Sequence, residues 1–279
     1  MPVAPSGDVE IFYDTFGSPG APAIMFISGF GSQMIGRPDD FCRAIADEGF
    51  FFVRFDNRDV GMSTQCEDMA QYSLEDMAKD AVAVLDHAGV DAAHVVGMSM
   101  GGMIAQLVAL NHPERVLTLT SVMSAMGEPD AVPATPEAQA IFLQPLAATR
   151  EEFIERAVID RRVIGSTGFD IGEGEVREIA ALSWDRGHYP AGRIRQALAI
   201  RASAPRKAAL SKLTIPVTVM HGTADPLIPV ENGVRTADAI PGAELVLIEG
   251  MGHDLPRGAW GQVIGGIVAT ARRAATATA

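Results

Sequence analysis

The chain is predicted to be an α/β protein with a mostly parallel central sheet, helices on both faces, and an inserted block of helices. Three observations predict this. Short apolar runs rich in β-branched residues are nearly continuous in hydrophobicity, as strands covered on both faces must be. Longer amphipathic stretches alternate with them, which implies right-handed strand–helix–strand crossovers. The regularity then breaks between 128 and 212, roughly 85 residues with no strand-like run, too long for a loop in a compact domain.

Taken in order, VEIFYDTFG (9–17) is predicted as an antiparallel edge strand. AIMFISG (23–29), FFFVRFDN (50–57), AHVVGMS (93–99), VLTLTSVM (116–123), PVTVMHG (216–222) and AELVLIEG (243–250) are predicted as the further strands. Helices are predicted over DDFCRAIADEG, SLEDMAKDAVAVLDHAGV, GGMIAQLVALNHPE, ENGVRTADAI and AWGQVIGGIVATARR. In the second of these, Leu74, Met77, Ala81, Val84 and Leu85 recur at three- and four-residue steps and should form one buried stripe. Residues 1–127 and 213–279 are read as the core domain, and 128–212 as a helical cap or lid. Within the cap, TREEFIERAVIDRRVIG and PAGRIRQALAIRASA are the clearest helices, the first with Thr149 as N-cap and Glu152 completing a capping box. The terminal ARRAATATA is expected to fray after the last helix.

Of the 279 residues, 48% are hydrophobic and 20% charged, enough apolar material for a core without staples. A formal net charge of −13 repels phosphate and argues against nucleic acid as a partner. No stretch has the roughly 18 apolar residues of a membrane span, and MPVAPSGDVE lacks the basic start and apolar run of a signal peptide. Cys42 and Cys66 fit no metal or redox spacing and are expected as free thiols of a cytoplasmic protein. No metal and no cofactor are expected. The expected partner is a small-molecule ester, with a homodimer left open.

The chemistry centres on HVVGMSMGG, where Gly97-Met98-Ser99-Met100-Gly101 follows a strand and opens a helix. That is the setting of a nucleophile elbow. A serine hydroxyl needs a neighbouring base. Among six histidines, His87, His94 and His112 fall within or at the ends of elements, His188 lies in the cap, where a surface position is expected ahead of a substrate contact, and His221 should brace the turn after its strand. His253 lies in the Gly-flanked loop GMGHDLP after the last strand, on the sheet edge that carries Ser99, and is the predicted base. Asp225 in HGTADPLIP, again just after a strand, is the predicted carboxylate that holds the imidazole. Asp254 adjoins the base too closely to orient it, and Glu249 precedes the loop. For the tetrahedral oxyanion, the backbone N–H groups of Met100 and Phe30 are predicted, with Gly29 the alternative to Phe30. Met34, Met123, Met126 and Trp184 are candidates for lining the acyl site under the cap, although each residue type also serves as plain core.

These segments together resemble the α/β-hydrolase family over nearly the whole chain. GMSMGG is similar to its elbow, and HGTADPLIP and GMGHDLP to its acid and histidine loops. FDNRDVGMST resembles the family's D-x-R-G-x-G-x-S loop, with Asp59 where glycine is usual; the resemblance implies a structural role there for Asp56 and Arg58. The oxyanion loop carries Ser28-Gly29 where the family usually has His-Gly. PSGDVE, DNRDVGMST, DAVAVLDHAGVDAAHVVGMSMGG and IEGMGHDLP look closer still to the aclacinomycin methylesterase branch. The resemblance implies an α/β-hydrolase fold and cofactor-independent hydrolysis of a small to medium hydrophobic ester, a methyl ester or a lactone. Two alternatives stand beside it: a perhydrolase or haloperoxidase-type activity with the same triad, and a non-catalytic ligand receptor on the hydrolase scaffold.

Overall fold

The computed structural model describes residues 2–67 and 71–277, apart from the side chains of 142, 143 and 275–277. Eight strands form one sheet: β1 (Val3–Ser6), β2 (Val9–Phe16), β3 (Ala23–Ile27), β4 (Phe51–Phe55), β5 (Ala93–Met98), β6 (Val116–Val122), β7 (Val217–Gly222) and β8 (Glu244–Ile248). Their spatial order is β1-β2-β4-β3-β5-β6-β7-β8, with β1 and β2 antiparallel and β4 through β8 parallel. The antiparallel strand expected at the edge is therefore one place in. The edge itself is β1, whose sequence VAPS is too short and too exposed to show a strand pattern.

Ten helices are described: α1 (Asp39–Ala46), α2 (Leu74–His87), α3 (Met100–Asn111), α4 (Pro136–Leu143), α5 (Arg150–Ile164), α6 (Glu173–Gly187), α7 (Pro190–Ala202), α8 (Lys207–Leu210), α9 (Val230–Ala239) and α10 (Trp260–Ala277). α10 continues through most of the tail that was expected to fray, and 278–279 lie outside the described residues. The period of two along each strand divides the core. Met25, Val53 and Val95 face α2 and α3, whereas Ile24, Phe52 and Val96 face α1 and α10. Leu74, Met77, Ala81, Val84 and Leu85 are all fully buried against the first face. Fully burying side chains such as Phe26, Phe41 and Phe52 stabilises the fold by about 1.5–3 kcal/mol each.

Helices α4–α8 lie between β6 and β7, and three of them, α4, α6 and α8, were not anticipated individually. α6 opens on a left-handed glycine, Gly172, and its text GEGEVREIAALSWDRG carries no clear apolar period. Thr149 caps α5 by accepting from the Glu152 N–H. The Glu152 carboxylate accepts from Ala148 N–H instead of from the cap residue, so the expected reciprocal box is displaced by one residue. Cys42 and Cys66 are buried free thiols. Among the described residues, no helix is long and apolar enough to cross a membrane.

Candidate active site

The loops following β5, β7 and β8 bring Ser99, Asp225 and His253 together at the carboxyl edge of the sheet. Ser99 stands between β5 and α3 at φ 56°, ψ −122°, a conformation that costs a non-glycine residue about 1–3 kcal/mol. Its N–H donates to Val122 O at 2.9 Å, and Ser124 Oγ donates to its carbonyl at 2.8 Å, which fixes the turn. Side chains are excluded around it. A Cβ on Gly97 would lie 2.1 Å from Gly101 O, and one on Gly101 would lie 2.1 Å from Ile27 O.

His253 Nε2 lies 2.9 Å from Ser99 Oγ, and His253 Nδ1 lies 2.7 Å from Asp225 Oδ2. An ionised carboxylate only accepts, so Nδ1 carries the proton and Nε2 is left to accept from the serine hydroxyl. Burial alone would raise the Asp225 pKa. The neighbouring His253, further hydrogen bonds and the N–H groups of Leu227 and Ile228, both 2.9 Å from Oδ1, outweigh burial and bring it down to about 2. His221 Nε2–H donates to Ile228 O at 2.7 Å and so holds the same turn from below.

Asp254 faces away from the imidazole. It accepts from Ser166 N–H, Ser166 Oγ–H and Arg161 Nη1, tying the α5–α6 connection to the histidine loop. The His253 N–H donates to Ile164 O at 2.7 Å in the same strap. Glu249 is exposed.

Met100 is the first residue of α3, so its N–H has no carbonyl partner within the helix and lies beside Ser99. The Gly29–Phe30 loop runs over the nucleophile: a Cβ on Gly29 would be 3.7 Å from Ser99 Oγ. Where the family's histidine would brace this loop, Ser28 Oγ is buried without a hydrogen-bond partner. Two other side chains brace the loop instead. Asn57 Nδ2 donates to Ser28 O at 3.1 Å, and Gln196 of α7 accepts from Gly31 N–H at 2.8 Å while donating to Arg58 O at 3.0 Å.

Asp56 is committed to structure, accepting from Met34 N–H, Met62 N–H and Arg186 of α6. Arg58 forms a bidentate pair with Asp80 at 2.6 and 2.7 Å. Asp59, in the position usually held by glycine, has φ +68° and binds Arg195 of α7, Tyr72 and Cys66 N–H. The sequence showed that Asp59 was unusual but not that α7 supplied its partner.

Two cavities border the loop that runs from Phe30 to Gln33. The first, about 230 Å³, is lined by Gly31, Gln33, Arg37, Phe153, Arg161 and Arg193 among others. The second, about 220 Å³, is lined by Phe30, Ile141, Phe153, Asp160, His188 and Arg193 among others. Met34, Met123 and Met126, expected to line such a space, are 1%, 0% and 5% exposed and contribute to neither wall. Met123 and Met126 belong to the two apolar cores, and Met34 is pinned by its N–H to Asp56, so flexibility in a side chain did not distinguish core from lining. Trp184 acts one layer back: it stacks on His188 with centroids 4.1 Å apart and flanks Phe153 at 5.7 Å. His188, expected at the surface, is half-buried between those rings and lines both cavities.

The alpha/beta hydrolase fold family model matches residues 22–256. Rhodomycin D methylesterase DnrP of Streptomyces peucetius is 35% identical over 89% of this chain and 90% of its own. 3-Oxoadipate enol-lactonase 2 of Acinetobacter baylyi is 27% identical over 87% and 86%. A solved structure described as Est816, an N-acyl homoserine lactone degrading enzyme, superposes with a TM-score of 0.75 at 28% identity over 95% of this chain and 99% of that one. The chain belongs to the α/β-hydrolase fold family. Within it, the chain is an ester hydrolase of the carboxylesterase class.

Proposed function

We propose that the chain hydrolyses carboxylic esters through an acyl-enzyme, with Ser99 as nucleophile, His253 as base and Asp225 as its orienting carboxylate. Residues 128–212 act as the cap. The observation that carries this reading is the continuous hydrogen-bond chain Asp225–His253–Ser99, at 2.7 and 2.9 Å. Ser99 Oγ attacks the ester carbonyl carbon while its proton passes to His253 Nε2. The carbonyl electron pair becomes an oxyanion held by the Met100 and Phe30 N–H groups. Its collapse breaks the ester C–O bond, and His253 returns the proton to the leaving alcohol. Water then attacks the acyl-enzyme, giving its proton to His253; the Ser99–acyl bond breaks, and Ser99 recovers the proton.

The methylesterase relative supports a methyl ester as substrate, and the enol-lactonase relative supports an internal ester handled by the same chemistry. An alkyl phosphonate ester should label Ser99 covalently, and Ser99→Ala should lower p-nitrophenyl ester turnover roughly 1,000-fold or more. Undiminished turnover by the variant would overturn this reading.

A further inference from the structure

The chain carries a net charge of −13, yet the cavity beside its oxyanion loop is cationic. Three arginines converge there, each on a neighbour of a residue assigned to the chemistry. Arg37 reaches Met98, directly before Ser99, with Nη1 2.9 Å from Sδ. Arg161 binds Asp254, directly after His253, at 3.1 Å. Arg193 lies over the Phe30 ring at 5.0 Å, and a Cβ on Gly31 would be 3.0 Å from its Nη1.

Negative charge is paired with only one of them, Arg161, through Asp254. The one acid in the wall of this cavity, Asp59, is taken by Arg195. Asp254 is shared between Arg161 and Ser166. Among the described residues, Arg193 has no hydrogen bond or ion pair; the Asp160 carboxylate favours its charged form from beyond ion-pair distance, and burial opposes it. Arg37 donates only to Gly36 O and the Met98 sulfur. Burial, and then the like charge of Arg161, bring the Arg37 pKa down to about 10 against the opposing influence of Asp254. Uncompensated guanidinium groups in a low-dielectric wall are costly unless an anion joins them. Their planar donor forks match a carboxylate. Phe153, Val176, Ile179 and Ala180 add apolar surface to a wall that also carries Gln33, Ser183, His188 and Tyr189.

We infer that the cavity lined by Arg37, Arg161 and Arg193 is a carboxylate subsite, so that the preferred substrate is an apolar ester bearing a second, ionised acid group. This rests on the proposed esterase reading for its turnover readout, but binding tests it independently. Monomethyl esters of the dicarboxylic acids from succinate to pimelate are compared with their dimethyl esters by methanol release. For at least one chain length, kcat/KM for the monoester should exceed that for the diester tenfold or more. Arg193→Gln and Arg37→Gln should each cut that ratio at least tenfold, while Arg193→Lys should retain part of it. Calorimetry on Ser99→Ala with adipate or glutarate should show binding that weakens with Arg193→Gln. Turnover of diesters without monoester preference, and without dicarboxylate binding, overturns the subsite alone. Dicarboxylate binding without turnover of any ester overturns the esterase mechanism and leaves the subsite standing.

Discussion

Arg195 of α7 grips Asp59 with two charge-assisted hydrogen bonds of 2.8 and 2.9 Å, although the two residues are 136 positions apart. Both are buried, at 7% and 2% exposure, and Asp59 occupies left-handed backbone space that favours glycine. Removing only one member strands a buried charge. Arg195→Met should therefore destabilise the protein by about 3–5 kcal/mol. Combining it with Asp59→Gly removes both the charge and the backbone strain, and should recover most of that loss. Urea unfolding of the two single variants and the double variant measures the coupling. Strictly additive losses would contradict it.

Asp225 gives the fold a pH-dependent contribution to stability. Its carboxyl lies near 2 in the folded protein against an ordinary 3.8, so its ionised form stabilises the fold fully above about pH 4. That contribution fades as pH falls toward 2. The stability gap between wild type and Asp225→Asn should accordingly be constant from pH 5 to 7 and close on acidification. The same variant should lose roughly 10,000-fold in kcat, because an amide no longer selects the Nδ1–H tautomer.

Gln196 is fully buried and replaces the missing histidine brace by holding Gly31 next to the Phe30 donor. Gln196→Ala should cost about 1–3 kcal/mol in stability by leaving the Gly31 N–H and the Arg58 carbonyl unpaired. It should also lower kcat several-fold with a smaller change in KM, since the loop it aligns acts on the transition state. Steady-state kinetics on a single ester separates the two effects.

Gly101→Ala should fall at or beyond the upper end of the about 1–3 kcal/mol typical of overpacking, because the new methyl meets the backbone carbonyls of Ile27 and Ser28 and neither can swing aside. Gly265→Ala, whose added methyl meets nothing, is the control and should melt near the wild type.

The strands and the placement of Ser99, Asp225 and His253 at one sheet edge were legible in the sequence for one physical reason. Parallel strands write themselves as apolar runs, buried in β5 and β7 and partly exposed in the edge strand β8, and Ser99, Asp225 and His253 each follow the end of such a run. β1 escaped because four residues, one a proline and two of them exposed, leave no period to read. α6 escaped because its apolar residues are not gathered into one stripe. The cavity walls were not legible at all. Arg37, Arg161 and Arg193 come from three distant segments and converge only once α5 and α7 have docked, while four side chains chosen by residue type were packed elsewhere.

The strap between the α5–α6 connection and the histidine loop has a consequence for how such a chain can change over generations. Ser166 and Asp254 are 88 positions apart, and Gly165 and Gly168 press backbone to backbone against Gly252 and Gly250. The seat of the base is thus built partly from the insertion and not from the sheet alone. An insertion grafted from another member, however well suited to a new ester, would have to bring a matching Ile164–Gly168 turn. Without it, the recombinant would keep a sound sheet, nucleophile and acid, and misplace the imidazole. Modular exchange in this fold is therefore limited by one short turn, leaving the outer helices free to diversify.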